Sequence, residues 1–252
     1  IVDNYSLGKK WEISIKNFVN KTLVIDDLNR SHECDFFLNQ NLLFYKKKIC
    51  RTPPNCKKLL GPKYCILNPI YKKIKKKIKK KNKINNIILF MGVTDSAKLT
   101  FKIFNAFLHK DLLKYNLKIV VGNNNKDFSK IKRLSKKRKK TKVHYKLDNL
   151  AKLIQNSDLG ISSGGSVIWE YLYFSLPNLI LSYSKKQSLN SIFLEKKKYS
   201  QIIGNKNIHF NKLTENIKKK ISILEKIKLR SNKKSLVDGR GTARIKKTIL
   251  MK

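Results

Sequence analysis

Short apolar runs alternate with longer amphipathic stretches over the last two thirds of the chain. The apolar runs predict buried strands, and the stretches between them carry apolar residues at helical spacing. Alternation of this kind predicts an α/β fold, with right-handed crossovers and a parallel sheet covered by helices on both faces. The predicted strands are Ile87–Phe90, Leu117–Val121, Lys142–Leu147, Leu159–Ser162, Leu179–Ser182 and the short Ile202–Ile203.

The first 70 residues predict fewer elements and begin in the middle of one. A helix is expected from Lys9 to Phe18, with Trp11 and Phe18 on its apolar face, and strands are expected at Thr22–Asp27 and Asp35–Leu38. These residues are too few for a whole α/β domain, so they are interpreted as the back part of one.

A lysine run over residues 72–83 separates the two regions. Because like charges repel, it predicts an exposed linker, with a membrane-surface or RNA-binding tail as the alternative. The expected division is a partial N-terminal domain over 1–72, a lysine-rich linker over 73–83 and a C-terminal domain over 84–252.

The stretch Asp158–Glu170 combines a buried strand, a glycine turn and a helix start. Glycines let a backbone approach a ligand, and Ser166 is a favourable N-cap, so the turn at Ser163–Ser166 predicts an anion site. Glu170, one turn along the helix, suits a neutral diol such as a ribose. Gly92 and Gly122 also follow predicted strands, and ligands bind parallel sheets at those ends. The alternative is an ordinary strand-to-helix turn.

The formal net charge is +42, from 58 basic and 16 acidic residues. The basic residues are mostly lysines spread along the whole chain, which favours compositional drift over specific nucleic-acid binding, although weak polyanion binding at low salt is expected. No apolar run approaches the length of a membrane span. The four cysteines fit buried thiols in a cytoplasmic protein better than a zinc site. The chain begins with Ile1 rather than Met, so we interpret its start as a cut or a join to an upstream segment. The sequence therefore leaves open whether a targeting segment precedes it.

Several short pieces in a fixed order resemble the PseG/SpsG-type UDP-sugar hydrolases of pseudaminic acid biosynthesis, relatives of the MurG glycosyltransferases. The resemblance implies two Rossmann-like domains of GT-B type, the N-terminal one incomplete, with a UDP-binding C-terminal domain. The matching pieces are Val2–Tyr5, Trp11–Glu12, Val24–Arg30 with His32, Cys34–Asp35, Gln40–Asn41, Leu60–Tyr64, Gly92–Val93 with Asp95, Ser163–Ser166, Trp169–Glu170 and Leu176–Pro177.

The activity implied by the resemblance is hydrolysis of UDP-2,4-diacetamido-2,4,6-trideoxy-β-L-altropyranose, with water attacking the anomeric carbon and UDP leaving. A MurG-like transferase is the first alternative, and a truncated UDP-binding remnant without activity is the second. No cofactor or metal is expected. The implied roles are diphosphate binding by Gly164, Gly165 and Ser166, ribose binding by Glu170, uracil framing by Leu147, sugar contact by Gln187, and a cleft lined by Asp3, Tyr5 and Asn41.

The resemblance fails at the catalytic histidine. The family's G-x-G-H-x-x-R motif is absent, and none of the four histidines stands in such a context. No catalytic residue is therefore assigned, and we expect only trace hydrolysis without the family's base. His32 is the first candidate for a base within these residues. Asp26, Asp27 and Arg30 are expected to form a structural ion pair.

Overall fold

The computed structural model describes residues 1–28, 30–42, 51–74, 83–226 and 235–250, and the chain divides into two compact units. The small unit comprises Ile1–Leu67 and Leu236–Lys252, and the large unit is Asn68–Ser235. Most of the predicted linker lies outside the described residues. In place of the expected C-terminal domain 84–252, the chain returns to the small unit for its last residues.

The elements follow one another in the order that the hydrophobic pattern predicts for most of the chain. The helices are α1 Lys9–Ser14, α2 Ile70–Lys73, α3 Leu99–Ala106, α4 Phe128–Ser135, α5 Ala151–Gln155, α6 Val167–Tyr173, α7 Lys185–Lys196, α8 Phe210–Lys226 and α9 Gly241–Leu250. The strands are β1 Leu23–Ile25, β2 Phe36–Asn39, β3 Lys57–Leu60, β4 Asn86–Phe90, β5 Asn116–Val121, β6 Thr141–Tyr145, β7 Leu159–Ser162, β8 Asn178–Ser182 and β9 Gln201–Asn205.

The large unit contains a six-stranded parallel sheet in the order β6-β5-β4-β7-β8-β9. This is the doubly wound order, in which the chain runs outward in one direction from β4 and then in the other from β7. Alternate residues of β4 face opposite sides of the sheet. Ile87 and Leu89 pack in one apolar cluster with α3 and α8, and Ile88 packs in another with α5 and α6. The expected α/β fold with helices on both faces is confirmed.

The small unit is built on a three-stranded parallel sheet in the order β1-β2-β3. Its core includes Ile245 of α9, a helix that the sequence pattern did not predict, packed with Leu38 and Leu59. Gly241 lies so close to the chain that an added Cβ would be 2.1 Å from the Cys65 carbonyl oxygen. This close approach and the apolar contact of Ile245 explain why the C-terminal helix joins the small unit. The side chains of Cys34, Cys56 and Cys65 are buried.

The predicted apolar face of the first helix is wrong. Helix α1 ends at Ser14 and a 3-10 turn covers Lys16–Phe18, where Phe18 is 85% exposed. The residue that α1 buries is Glu12, which is 1% exposed and accepts hydrogen bonds from the Glu33 amide at 2.7 Å and from His32. A buried carboxylate requires such partners, and the apolar pattern carries no sign of them.

Candidate functional site

Two adjoining cavities lie beyond the carboxyl ends of the central strands of the large unit. The larger has a volume of about 460 Å³ and the smaller about 220 Å³, and both are lined by Phe90 and Val93. Their position at the point where the strand order reverses is where open α/β sheets bind ligands. The larger is also lined by Asn68, Tyr71, Val120, Val121, Gly122, Asn123, Lys146, Leu147, Asp148, Asn149, Leu150 and Glu170. The smaller is also lined by Met91, Gly92, Thr94, Asp95, Ser96, Ala97, Ser163, Gly165, Ser166, Val167, Tyr183 and Gln187.

Two of the predicted glycines shape these cavities in different ways. A Cβ on Gly122 would lie 2.0 Å from the Val93 carbonyl oxygen, so this glycine lets the loop after β4 pack against the end of β5. Gly92 has a φ of 111°, and no atom lies within 4 Å of the position that a Cβ would occupy. The backbone conformation requires a glycine at position 92, because residues with a Cβ rarely adopt such a φ.

The turn between β7 and α6 differs from the predicted cap. Ser166 has helical backbone angles and its side chain makes no capping hydrogen bond. Within the described part of the chain, the backbone N–H groups of Gly165, Ser166 and Val167 donate no hydrogen bond. Gly164 has a φ of 82°, and an added Cβ would lie 2.9 Å from the Ser191 Oγ. The turn therefore keeps its backbone donors available beside the smaller cavity, as a turn that binds an anion must.

Asp95 fills the corresponding position at the start of α3. Its Oδ1 accepts a hydrogen bond from the Leu99 amide at 2.9 Å, and its Oδ2 accepts from the Thr100 amide at 2.8 Å and from Asn125. Burial raises the pKa of Asp95, and these hydrogen bonds act in the opposite direction. The start of α3 is thus capped from within the protein, whereas the turn before α6 is not.

Glu170 projects from the first turn of α6 into the larger cavity, together with the predicted Leu147 and Gly122. Its Oε2 accepts a hydrogen bond from the Tyr71 hydroxyl. Burial raises the pKa of Glu170 to about 7, against the lowering effect of that hydrogen bond. Burial and the neighbouring Glu170 in turn raise the pKa of Tyr71. Sequence reasoning missed Tyr71 because it lies beside the lysine run, in a segment assigned to the other domain.

Gln187 reaches the smaller cavity from α7. Its side-chain Oε1 accepts a hydrogen bond from the Tyr183 backbone N–H at 3.3 Å, and the Gln187 backbone N–H donates to the Ser184 Oγ at 3.2 Å. Its side-chain Nε2 comes within 3.5 Å of the position that a Cβ on Gly165 would occupy. The structure therefore places Gln187 beside the glycine turn, on the same cavity as Ser163 and Ser166.

In the small unit, Tyr5 and Asn41 meet at a carboxylate. The Tyr5 hydroxyl donates to the Asp27 Oδ1 at 2.9 Å, and the Asn41 Nδ2 donates to its Oδ2 at 2.9 Å. Partial burial, together with the hydrogen bond to Asp27 and the negative charge of Asp27, raises the pKa of Tyr5 to about 12. Asp3 is exposed nearby in the chain. Asp27 was expected in an ion pair with Arg30, and that expectation is wrong for Asp27.

The expected ion pair forms at the preceding residue. Arg30 Nε donates to the Asp26 Oδ2 at 2.9 Å, and its Nη1 donates to the Tyr5 carbonyl at 2.7 Å. His32 lies behind this pair with its Nδ1 2.7 Å from the Glu12 Oε1 and its side chain fully buried. A buried imidazole held by a carboxylate cannot reach a substrate, so His32 is a poor candidate for the base.

The other histidines do not supply a base to the large unit. His109 lies before a 3-10 turn, His144 on β6 and His209 before α8, and none of them lines either cavity. Burial and the charges of Lys118 and Lys142 lower the pKa of His144. The two cavities of the large unit are thus lined without a histidine.

The sequence matches the family model for the glycosyltransferase family 28 C-terminal domain over residues 65–249. The chain belongs to this family. Within the described residues no helix is both long and apolar enough to cross a membrane.

Two curated relatives are similar to this chain, one an SpsG protein and the other an N-acetylglucosamine transferase. The spore coat polysaccharide biosynthesis protein SpsG of Bacillus subtilis is 26% identical over 129 residues, covering 51% of this chain and 38% of SpsG. The UDP-N-acetylglucosamine–N-acetylmuramyl-(pentapeptide) pyrophosphoryl-undecaprenol N-acetylglucosamine transferase of Clostridium botulinum strain Kyoto is 28% identical over 230 residues, covering 84% of this chain and 61% of the transferase. The chain thus spans between about two fifths and three fifths of these relatives.

The fold is also found in a solved structure. The crystal structure of MurG from Acinetobacter baumannii aligns with 95% of this chain and 68% of its own, with a TM-score of 0.58 and 12% sequence identity. At this identity the likeness concerns the fold, and it confirms the predicted α/β architecture of GT-B type. The family model and the match to the Clostridium botulinum transferase relate the chain to enzymes that use nucleotide sugars.

Proposed function

We propose that the large unit binds the UDP part of a UDP-sugar across its two cavities. The nucleoside occupies the larger cavity and the diphosphate lies against the turn at the smaller one. The observation that carries this proposal is the placement of Glu170 and Leu147 on one cavity and Gly165 and Ser166 on the other. Because the two cavities share Phe90 and Val93, one ligand can extend from one into the other.

The chemistry of each cavity fits a different part of the ligand. Hydroxyl groups of a ribose can donate to the Glu170 carboxylate, whereas a phosphate there would be repelled. The free backbone donors at Gly165, Ser166 and Val167 suit the diphosphate, since unpaired N–H groups at a helix start favour anions. The start of α3 is unsuited to that role because Asp95 already occupies its donors.

The reaction proposed for the whole protein is hydrolysis of UDP-2,4-diacetamido-2,4,6-trideoxy-β-L-altropyranose. A water oxygen forms a bond to the anomeric carbon, the bond from that carbon to the β-phosphate oxygen breaks, and its electron pair leaves with UDP. A base accepts the proton of the water. The family pieces from Val2–Tyr5 to Leu176–Pro177 and the likeness to SpsG support this choice. The part assigned to this chain is to hold UDP as the leaving group, through hydrogen bonds that stabilise its developing charge.

A MurG-like transferase is the second candidate, favoured by the match to the Clostridium botulinum transferase over 230 residues. The same glycosidic bond breaks in that reaction, but an acceptor hydroxyl replaces water. The site on the large unit would be the same, since both reactions release UDP. The two candidates therefore differ in the acceptor and share the nucleotide.

Calorimetric titration of the full chain with UDP, UMP and ADP tests the nucleotide site. We expect UDP to bind more tightly than UMP, because only UDP places a second phosphate at the turn, and more tightly than ADP. Equal affinities for UDP and UMP would contradict the role of the turn.

Release of UDP from the altrose nucleotide, measured with and without a sugar or lipid-linked acceptor, separates the two reactions. UDP release that depends on water alone supports the hydrolase. Release only with an acceptor supports the transferase. Only trace release by water is expected here, because no base is assigned. Tight UDP binding with no release above the rate without protein, under either condition, supports the non-enzymatic alternative.

A further inference from the structure

Tyr71 is held rigidly at the edge of the larger cavity. Tyr71 is 2% exposed. Its ring packs edge-on against Tyr173 with a centroid distance of 6.4 Å, and it lies tilted against Phe174 with a centroid distance of 5.7 Å. The ring belongs to the apolar cluster that covers one face of the six-stranded sheet. The position of the Tyr71 hydroxyl is therefore fixed by packing before any ligand arrives.

This hydroxyl acts on only one of the two carboxylate oxygens of Glu170. The Tyr71 hydroxyl donates to Oε2, and no described residue donates to Oε1. Since Glu170 lines the cavity, Oε1 is the oxygen left to accept hydrogen bonds from a ligand. A carboxylate fixed through one oxygen loses less conformational freedom when the other oxygen binds.

Among the described residues, no other charged or titratable group competes with Tyr71 for the carboxylate of Glu170. Tyr171 on the same helix points its hydroxyl towards the Ile161 carbonyl oxygen, at 3.5 Å. From the loop after β6, Lys146 and Asp148 line the same cavity. No lysine or arginine of the described ranges forms an ion pair with Glu170. The direct partner of its carboxylate is thus the neutral hydroxyl of Tyr71.

We propose that Tyr71 is a positioning residue for ribose recognition, which holds the Oε2 of Glu170 so that Oε1 faces the 2′- and 3′-hydroxyls of the nucleotide. The inference rests on the proposed function and adds a residue from α2 to the site. It assigns to the Tyr71–Glu170 pair the selection of ribonucleotides over nucleotides that lack these hydroxyls. A purely structural tyrosine would support the fold without affecting this selection.

The test is calorimetric binding of UDP and 2′,3′-dideoxy-UDP to the full chain carrying Tyr71→Phe, which keeps the ring and removes the hydroxyl. We expect the preference for UDP over the dideoxy nucleotide to fall about three- to tenfold, the scale of one modest hydrogen bond, while dideoxy-UDP affinity stays close to that of the unaltered chain. Tyr115→Phe is the matched control. Tyr115 is a buried tyrosine of the same unit that lines neither cavity, so its loss of a hydroxyl should leave the preference unchanged.

A second arm follows the same preference between about pH 6 and pH 9. Burial raises the pKa of Glu170 to about 7, so the preference for UDP should increase as Glu170 ionises through this range. Tyr71 lowers that pKa by its hydrogen bond, so Tyr71→Phe should move the midpoint to higher pH. Phosphate titration is common to both nucleotides and cancels in the ratio.

The outcomes separate the inference from the function on which it rests. Absence of UDP binding to the unaltered chain would overturn the proposed function. UDP binding with an unchanged preference and midpoint in Tyr71→Phe would overturn only the role of Tyr71. Equal weakening of both nucleotides would also overturn it, because that pattern indicates a structural effect. A lowered preference with a shifted midpoint supports it.

Discussion

Two carboxylates, one in each unit, have partners of different charge. In the small unit, Asp26 is paired with the positively charged guanidinium of Arg30. In the large unit, the partner of Glu170 is a neutral hydroxyl, and burial raises its pKa to about 7. The first arrangement stabilises carboxylates within the protein. The second leaves a carboxylate beside a cavity, where a ligand can supply what the protein does not.

The largest effect is expected from Asp26→Asn. Its side chain is 1% exposed, and the substitution leaves the guanidinium of Arg30 without its charge partner. Removing one member of a fully buried ion pair typically costs about 3–5 kcal/mol. Because the Arg30 side chain is 30% exposed, the loss of stability in the small unit should lie towards the lower end of that range. Hydrogen exchange of the peptides that cover β1 and β2 measures the change in this unit directly.

Asp3→Asn provides the control for that experiment. Asp3 is exposed and belongs to the same unit, so its substitution should leave the exchange of β1 and β2 unchanged. Comparable exchange in the two variants would mean that the pair of Asp26 with Arg30 does not stabilise the unit.

Glu170→Gln should increase the stability of the large unit, whereas Asp26→Asn should decrease the stability of the small unit. The pKa of Glu170 is raised from 4.5 to about 7, so the folded unit favours its protonated form. The stability from this group is present at acid pH and is lost as pH rises through about 7. Near pH 8, the neutral glutamine should therefore make the unit more stable than the unaltered chain, by up to about 3 kcal/mol, with no gain near pH 4.

Urea unfolding followed by the fluorescence of Trp169, a buried residue of the same helix, measures this gain. Glu215→Gln is the matched control, because Glu215 is an exposed residue of α8 in the same unit. A gain at pH 8 that equals that of the control, or a loss of stability, would show that the charge of Glu170 is accommodated without cost.

The sequence predicted the large unit well because its central strands β4, β5, β7 and β8 are mostly buried. A short, continuous apolar run that lies between amphipathic helices predicts a strand of a buried parallel sheet. Leu159–Ser162 is such a run, and β7 occupies that range. The glycines at the strand ends marked the position of the cavities for a similar physical reason, since Gly122 and Gly164 exclude a Cβ.

The small unit was harder to predict because polar contacts decide it. Glu12 can be buried because His32 and the Glu33 amide donate hydrogen bonds to it. These partners are distant in sequence, so the spacing of apolar residues gives no sign of them. Helix α9 joins the unit through a contact at Cys65, which lies far away along the chain. Tyr71 was missed for the same reason, since its partner Glu170 is 99 residues away.

The smallest effect is expected from Tyr5→Phe. Its hydrogen bond to Asp27 is exposed to solvent, and such a bond contributes about 1 kcal/mol or less. The exchange rates of β1 and β2 should therefore change only slightly, far less than with Asp26→Asn. A loss as large as that of Asp26→Asn would place Tyr5 and Asp27 among the interactions that hold the small unit together.

Glu170 is proposed to accept hydrogen bonds from the ribose of a nucleotide, and comparing the affinities of two nucleotides shows whether it does. Calorimetry on Glu170→Ala should show UDP binding weakened by about 1.5–3 kcal/mol, the size expected for hydrogen bonds to a charged group. Binding of 2′,3′-dideoxy-UDP, which cannot donate these hydrogen bonds, should weaken much less. An equal loss for the two nucleotides would contradict the claim and make Glu170 a structural residue like Asp26.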